Sequence, residues 1–311
     1  MPTSTIGIEK TACYGWKNCL RLYNKQIELI VTTDVGPRII HFGFIGQENE
    51  FATYPDDLGR TGGQSWRIYG GHRLWHAPED PERTYWPDNT PVDAHPNAQG
   101  LSLHQSTETS TGIGKAIDII LHPQKAQVQV SHTLTNHNLW PVALAPWALS
   151  VMAPGGVGLF PLPPRGLHPQ NLLPSSSLTL WPYTNMSDPR WTWGQQLIML
   201  RQDARNSTPQ KVGAYSPDGW IAYARAGHLF IKQTSASSAP EHYPDMGSNL
   251  EIFTNEDMLE IETLGPTTQL APDASITHTE HWTLLDNIPQ PRNEAEALAV
   301  LPSHLFPTSK P

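Results

Sequence analysis

Cysteine is nearly absent: Cys13 and Cys19 are the only two in 311 residues, too few for a disulfide framework. The expectation is two reduced thiols in a cytoplasmic protein. Positive charge is also scarce, with 20 Lys and Arg against 29 Asp and Glu and a net charge of -9. That balance argues against nucleic acid or an anionic membrane as partner, since both attract basic patches. No apolar run reaches the roughly 18 residues of a membrane-spanning helix. Met1 to Lys10 lacks a basic start followed by an apolar stretch, so no secretory leader is expected. No nucleophilic serine elbow, phosphate loop or dinucleotide fingerprint is found, and Gly112-Ile113-Gly114 lacks the third glycine. No cofactor is expected.

Proline, histidine and tryptophan are abundant, at 30, 14 and 11 residues. Proline at this level disfavours long helices and suits short strands joined by turns. Strand signals follow from Gln26 to Thr32 and, after the Gly36-Pro37 turn, from Arg38 to Phe44. Ala116 to Leu121 and Ala126 to Leu134 read as a hairpin, in which Val128, Val130 and His132 alternate with Gln127, Gln129 and Ser131. Further strands are expected at 143–152, 219–224, 229–233, 248–254, 258–264 and 275–284. The best helix candidate runs from Asn293, a capping residue, to Leu301. Residues 154–193, rich in Pro, Ser and Trp, read as a long excursion packed on the sheets. Strands in series without a βαβ rhythm predict an all-β sandwich of large antiparallel sheets with few short helices. The expected organisation is one domain over residues 1–290, then a helix and Pro-rich tail over 291–311.

Chemistry-bearing residues concentrate in Gly70-Gly71-His72-Arg73-Leu74-Trp75-His76-Ala77-Pro78-Glu79. His72 and Glu79 can exchange protons, Arg73 can hold an oxyanion, and Trp75 offers an apolar face to a sugar ring. The i,i+4 pair His72/His76 has one-sided spacing, but a metal site needs three or four convergent ligands and no other cluster supplies them, so no metal is expected. In an extended strand, Asn249, Glu251 and Phe253 share one face while Leu250 and Ile252 take the other. Glu251 on a rigid strand can have its pKa raised by burial and serve as acid or base. Glu260 and Glu262 share a face of the next strand and read as solvated or ion-paired structural carboxylates. Lys211 and Lys232 are scarce cations, either of which can pin a carboxylate or a sugar hydroxyl.

The order of these pieces resembles the galactose mutarotase (aldose 1-epimerase) superfamily, and looks closest to its uncharacterised bacterial branch. The resemblance rests on Gly36-Pro37-Arg38, Gly-Gly-His-Arg-Leu-Trp at 70–75, Leu134-Thr135-Asn136-His137-Asn138, the Glu251 strand, Leu270-Ala271-Pro272-Asp273 and His281-Trp282-Thr283-Leu284. It covers about residues 8–286, with Asp273 where the family usually has glycine. It implies a β-supersandwich with a sugar groove across one sheet face, and a small sugar or oligosaccharide as partner. It further implies an enzyme that interconverts anomers, with Glu251 as general base and His72, His76 or His137 as general acid. Arg73, Trp75, Glu79, Trp147, Lys211 and Asn249, with His137, are the expected sugar-binding residues. His137 lacks the family's following Tyr-Phe-Asn context. Two alternatives stay open: a non-catalytic carbohydrate-binding protein, and a glycoside hydrolase or lyase using a carboxylate pair such as Glu79 and Glu251.

Overall fold

With proline frequent and helical periodicity rare, strand pairing is the main way this backbone satisfies its own polar groups. The structure is a computed structural model describing residues 6–236 and 239–306, and two antiparallel sheets organise it. The first sheet runs, edge to edge, through Gly7–Cys13, Trp16–Tyr23, Ile27–Thr32, Arg38–Phe44, His72–Ala77, Val142–Met152, Leu259–Leu264, Leu250–Thr254, Gln210–Ala214 and Thr179–Leu180. Thr268–Leu270 also pairs with Val142–Met152. The second runs through Trp191–Trp193, Leu197–Arg201, Val157–Pro161, Trp220–Arg225, His228–Thr234, Ser275–Leu285, Gln127–Asn136, Ile113–Leu121, Gly100–His104 and Asp93–Pro96. This is the expected all-β supersandwich.

Period-two patterning decides which way each strand faces. Along Gln127–Asn136, burial alternates at every residue and turns Val128, Val130, His132 and Leu134 inward. Phe42, Phe51, Phe230 and Trp282 pack ring against ring at the centre, with Phe42 and Trp282 coming from opposite sheets 5.4 Å apart. Residues 154–193 are less of an excursion than expected. Val157–Pro161, apolar and buried throughout, is an inner strand of the second sheet, and only the stretch after it runs over the surface. Near the C-terminus, Asn293 Oδ1 accepts from Glu296 N at 3.0 Å and caps the helix Glu294–Val300. Ala297, Leu301 and Leu305 then pack on Trp220, Leu197 and Val157 of the second sheet. Residues 307–311 of the expected tail lie outside the described residues. Cys13 and Cys19 are free thiols. No described helix is long and apolar enough to cross a membrane.

Candidate functional site

Gly70 and Gly71 set the path of the strand that follows them. Both sit at positive φ, +95° and +75°, where a Cβ would come within 2.0 Å of the Ala52 carbonyl oxygen and 2.3 Å of the Ile39 carbonyl oxygen. The chain then enters His72–Ala77, buried on both faces between Arg38–Phe44 and Val142–Met152. Alternation sends His72, Leu74 and His76 between the sheets, and Arg73, Trp75 and Ala77 to the outer face of the first sheet.

Inside, His72 joins a closed polar network. His132 Nδ1 lies 3.1 Å from the His278 carbonyl, which can only accept, so Nδ1 carries the His132 proton. His132 Nε2 therefore accepts from His72 Nε2 at 2.6 Å, and His72 Nδ1 accepts from the Ser150 hydroxyl at 2.9 Å. Thr263 Oγ1 donates to Glu280 Oε1 at 2.5 Å and accepts from His278 Nε2 at 2.7 Å. Lys232 Nζ pairs with Glu280 at 2.7 Å, and Trp282 Nε1 donates to its other oxygen at 2.8 Å. Burial pushes all three histidines down, His278 to about 3. Burial opposes charge on Glu280 too, but Lys232 and the neighbouring imidazoles outweigh it and hold that carboxyl well below its usual range. His72, His132 and Glu280 are the group among the described residues whose atoms could hold a metal, lying within 4.8 Å of one another. Lys232 already supplies the positive charge there, and the ring nitrogens are spent on hydrogen bonds, so the donor set fits a neutral-histidine network better than an ion.

His76 meets neither His72 nor Glu251. Its Nε2 faces Glu108 at 3.8 Å, and Glu108 pairs with Lys115 at 2.5 Å. The expectation that His72 or His76 faces Glu251 as acid to its base is therefore corrected: the three lie on one sheet, but the histidines occupy the opposite face. His137 stands just past the end of Gln127–Asn136 in the second sheet, exposed and 3.5 Å from Asp273.

On the outer face, register aligns Arg73, Leu149, Glu262, Glu251 and Gly213 in one row across five strands, with Trp75, Trp147 and Leu264 in a neighbouring row. Lys211, two residues before Gly213 on the same strand, shares its face. Its ammonium contacts Glu251 Oε2 at 2.7 Å and Glu262 Oε2 at 2.9 Å, so the two carboxyl groups lie within two ion-pair lengths of each other. Trp147 Nε1 donates to the same Glu262 oxygen at 2.7 Å. The Lys211 Nζ also lies 4.8 Å from the ring centres of Trp147 and Trp181. Burial raises Glu251 well above the usual carboxylate range, against the pull of Lys211 and with the added repulsion of Glu262 and Asp245. Lys211 is raised well above its ordinary value, because the two carboxylates outweigh the burial that would lower it. Oε1 of both Glu251 and Glu262 is buried without a hydrogen-bond donor among the described residues.

A cavity of about 400 Å³ lies above this floor, lined by Pro78, Glu79, Pro81, Tyr85, Trp147, Trp181 and Asp245. Tyr85 donates to Glu79. Beside the cavity, Arg73 pairs with Glu260 at 2.9 Å and stacks 4.3 Å from the Trp75 ring centre, which in turn meets Tyr85 and Trp66. Asn249 is spent on structure: its amide accepts from Ser216 N at 2.7 Å and donates to Ser216 O at 2.8 Å. A larger cavity of about 560 Å³ lies by Gln129, Gln233 and His281 of the second sheet, and no carboxylate or ammonium of the described residues lines it.

Of the expected residues, Glu251, Arg73, Trp75, Glu79, Trp147 and Lys211 thus share one face or its rim, and His72, His76 and His137 do not. Glu262 is a central residue that the sequence reading passed over as structural. Its signal was cross-strand register with Glu251, which needs a known pairing. Trp181, Tyr183 and Tyr85 come from irregular segments with no periodicity to orient them.

No protein-family model matches the chain, and no curated protein is similar to it in sequence. Solved structures do share its fold. A galactose mutarotase-like protein from Lactobacillus casei superposes with a TM-score of 0.57 at 12% identity, covering 86% of this chain and 100% of its own. One from Clostridium acetobutylicum gives a TM-score of 0.55 at 9% identity, over 91% of this chain and 99% of its own. A TPR-domain containing protein from Parabacteroides distasonis gives 0.57 at 13% identity, over 93% of this chain but 56% of its own. By these superpositions and their near-complete coverage, the chain has the galactose mutarotase-like fold.

Proposed function

We propose that the outer face of the first sheet binds a sugar ring and interconverts its anomers by proton transfer between two carboxyl groups. The carrying observation is the Glu251–Lys211–Glu262 cluster, on neighbouring strands beneath an aromatic-walled cavity. Opening a ring needs a base for the anomeric hydroxyl proton and an acid for the ring oxygen. Glu251, whose carboxyl is raised by burial and so favours its protonated form, delivers a proton to the ring oxygen as the C1–O5 bond breaks. Glu262 Oε1 takes the anomeric hydroxyl proton as the C1 carbonyl forms. Lys211 touches both groups and stabilises whichever is anionic. Reclosure on the other face of C1 returns each proton, so the enzyme ends as it began. Trp147 and Trp181 supply apolar faces for the ring, and Arg73 keeps Nε and Nη1 for its hydroxyls.

The test is anomer interconversion of aldoses followed by NMR or polarimetry. The native protein should accelerate it for at least one sugar, and Glu251→Gln and Glu262→Gln should each lower the rate roughly 100-fold or more, the usual weight of a general acid or base. Unchanged rates in both variants would overturn the roles assigned. A second reading, binding without turnover, draws on the full burial of both carboxyls, because the Trp181 and Tyr183 segment must move aside for a ring to reach them. Sugar affinity that is insensitive to Glu251→Gln, with no acceleration by the native protein, would select that reading.

A further inference from the structure

The cavity above the carboxyl pair has a chemistry that the pair itself does not require. Trp147, Trp181 and Tyr85 wall it, and its two charged lining residues are both acids, Glu79 and Asp245. No lysine or arginine lines it among the described residues. The nearby cations already have carboxylate partners: Lys211 pairs with Glu251 and Glu262, and Arg73 balances its charge against Glu260 through Nη2 and keeps Nε and Nη1 for hydroxyls. Asp245 is held there by strained backbone. It and Met246 sit at φ 50° and 59°, and the Asp245 carbonyl accepts from Thr179 Oγ1 at 3.1 Å and Ser248 Oγ at 2.9 Å. Glu79 is exposed at the cavity lining, held by the Tyr85 hydroxyl. Beneath them, the Glu251 Oε1 is buried and has no donor among the described residues.

We propose that this groove selects a sugar carrying a free amino group, whose ammonium sits among the aromatic rings between Glu79 and Asp245. Aromatic faces and carboxylates together attract a cation and offer nothing to a phosphate or uronate, which would meet two like charges. The net charge of -9 adds a long-range field of the same sign. This inference rests on the sugar-binding reading above and names its substrate class, an amino hexose.

Calorimetric titration at low salt, on the acid side of the amine pKa, tests it with the full-length protein. The probes are glucosamine, galactosamine and mannosamine, their parent hexoses, their N-acetyl forms and glucose 6-phosphate. At least one amino hexose should bind about tenfold more tightly than its parent and its N-acetyl form, and the phosphate should bind weakest. Glu79→Gln, at an exposed position, and Asp245→Asn, which tolerates positive φ, should each reduce severalfold the ratio of amino-hexose to parent-hexose affinity. Parent hexoses bound as tightly as the amino forms, or a preference unmoved by both variants, would overturn the amine assignment and leave the sugar-binding reading standing. If none of the sugars binds, the sugar-binding reading fails and this inference falls with it.

Discussion

Lys211 is the residue on which the groove floor depends, because one ammonium pairs with two carboxyl groups that water does not reach. Removing one member of a buried charge cluster leaves the others uncompensated, which typically costs about 3–5 kcal/mol. Lys211→Met should therefore lower urea-unfolding stability by about that much at pH 7, and the double variant Lys211→Met/Glu251→Gln should recover part of it. No recovery in the double variant would mean that Lys211 acts through packing against Trp147 and Trp181 and not through charge. Lys211 and Glu251 were both readable as candidates from their strand contexts. Glu262 was not, since a glutamate two residues from another on a strand looks the same whether its face is wet or covered. Only the indole of Trp147 and the ammonium of Lys211, brought in from other strands, separate the two cases.

Among the elements, His72–Ala77 joins the two halves of the molecule's chemistry, with histidines turned inward and Arg73 and Trp75 outward. Its placement depends on the glycine pair before it. Gly71→Ala would drive a Cβ to 2.3 Å from the Ile39 carbonyl at a φ that side chains rarely adopt. Such strain costs on the order of 1–3 kcal/mol before any clash is counted. The expected result is a fall of several degrees in the thermal midpoint together with loss of sugar binding, as Arg73 and Trp75 move with the strand. A variant at Gly155, at positive φ but with open space around it, is the control and should show a smaller effect on stability and none on binding. Strand parity was legible here: His72 and His76 had to share a side, and Arg73 and Trp75 the other. Which side faced the groove was not legible, because both carry polar residues.

Over the whole molecule, the network of His72, His132, His278, Glu280 and Lys232 links the two sheets through their shared interior. The buried histidines make stability fall with acid. Their folded pKa values lie below the ordinary value near 6.5, His278 at about 3, so below pH ~6.5 the unfolded chain binds protons that the folded chain refuses. Each such histidine contributes up to about 1.4 kcal/mol per pH unit. Glu280, also depressed, adds loss below its unfolded value by the same sign. Urea-unfolding curves from pH 7 to 4 should show stability decreasing steadily below pH ~6.5, with His278→Gln reducing the slope. A slope unchanged by His278→Gln would mean that His278 is charged in the folded state.

Local patterning determined the class of the molecule and much of its strand plan. Alternation along Gln127–Asn136, turn residues at Gly36-Pro37 and the cap at Asn293 act over a few residues, so they are readable one segment at a time. The carboxyl pair, its shared ammonium and the inward turn of His72 and His76 were decided by tertiary structure. They depend on which strands lie side by side and which face is covered, and those are set by pairing between residues far apart in the chain.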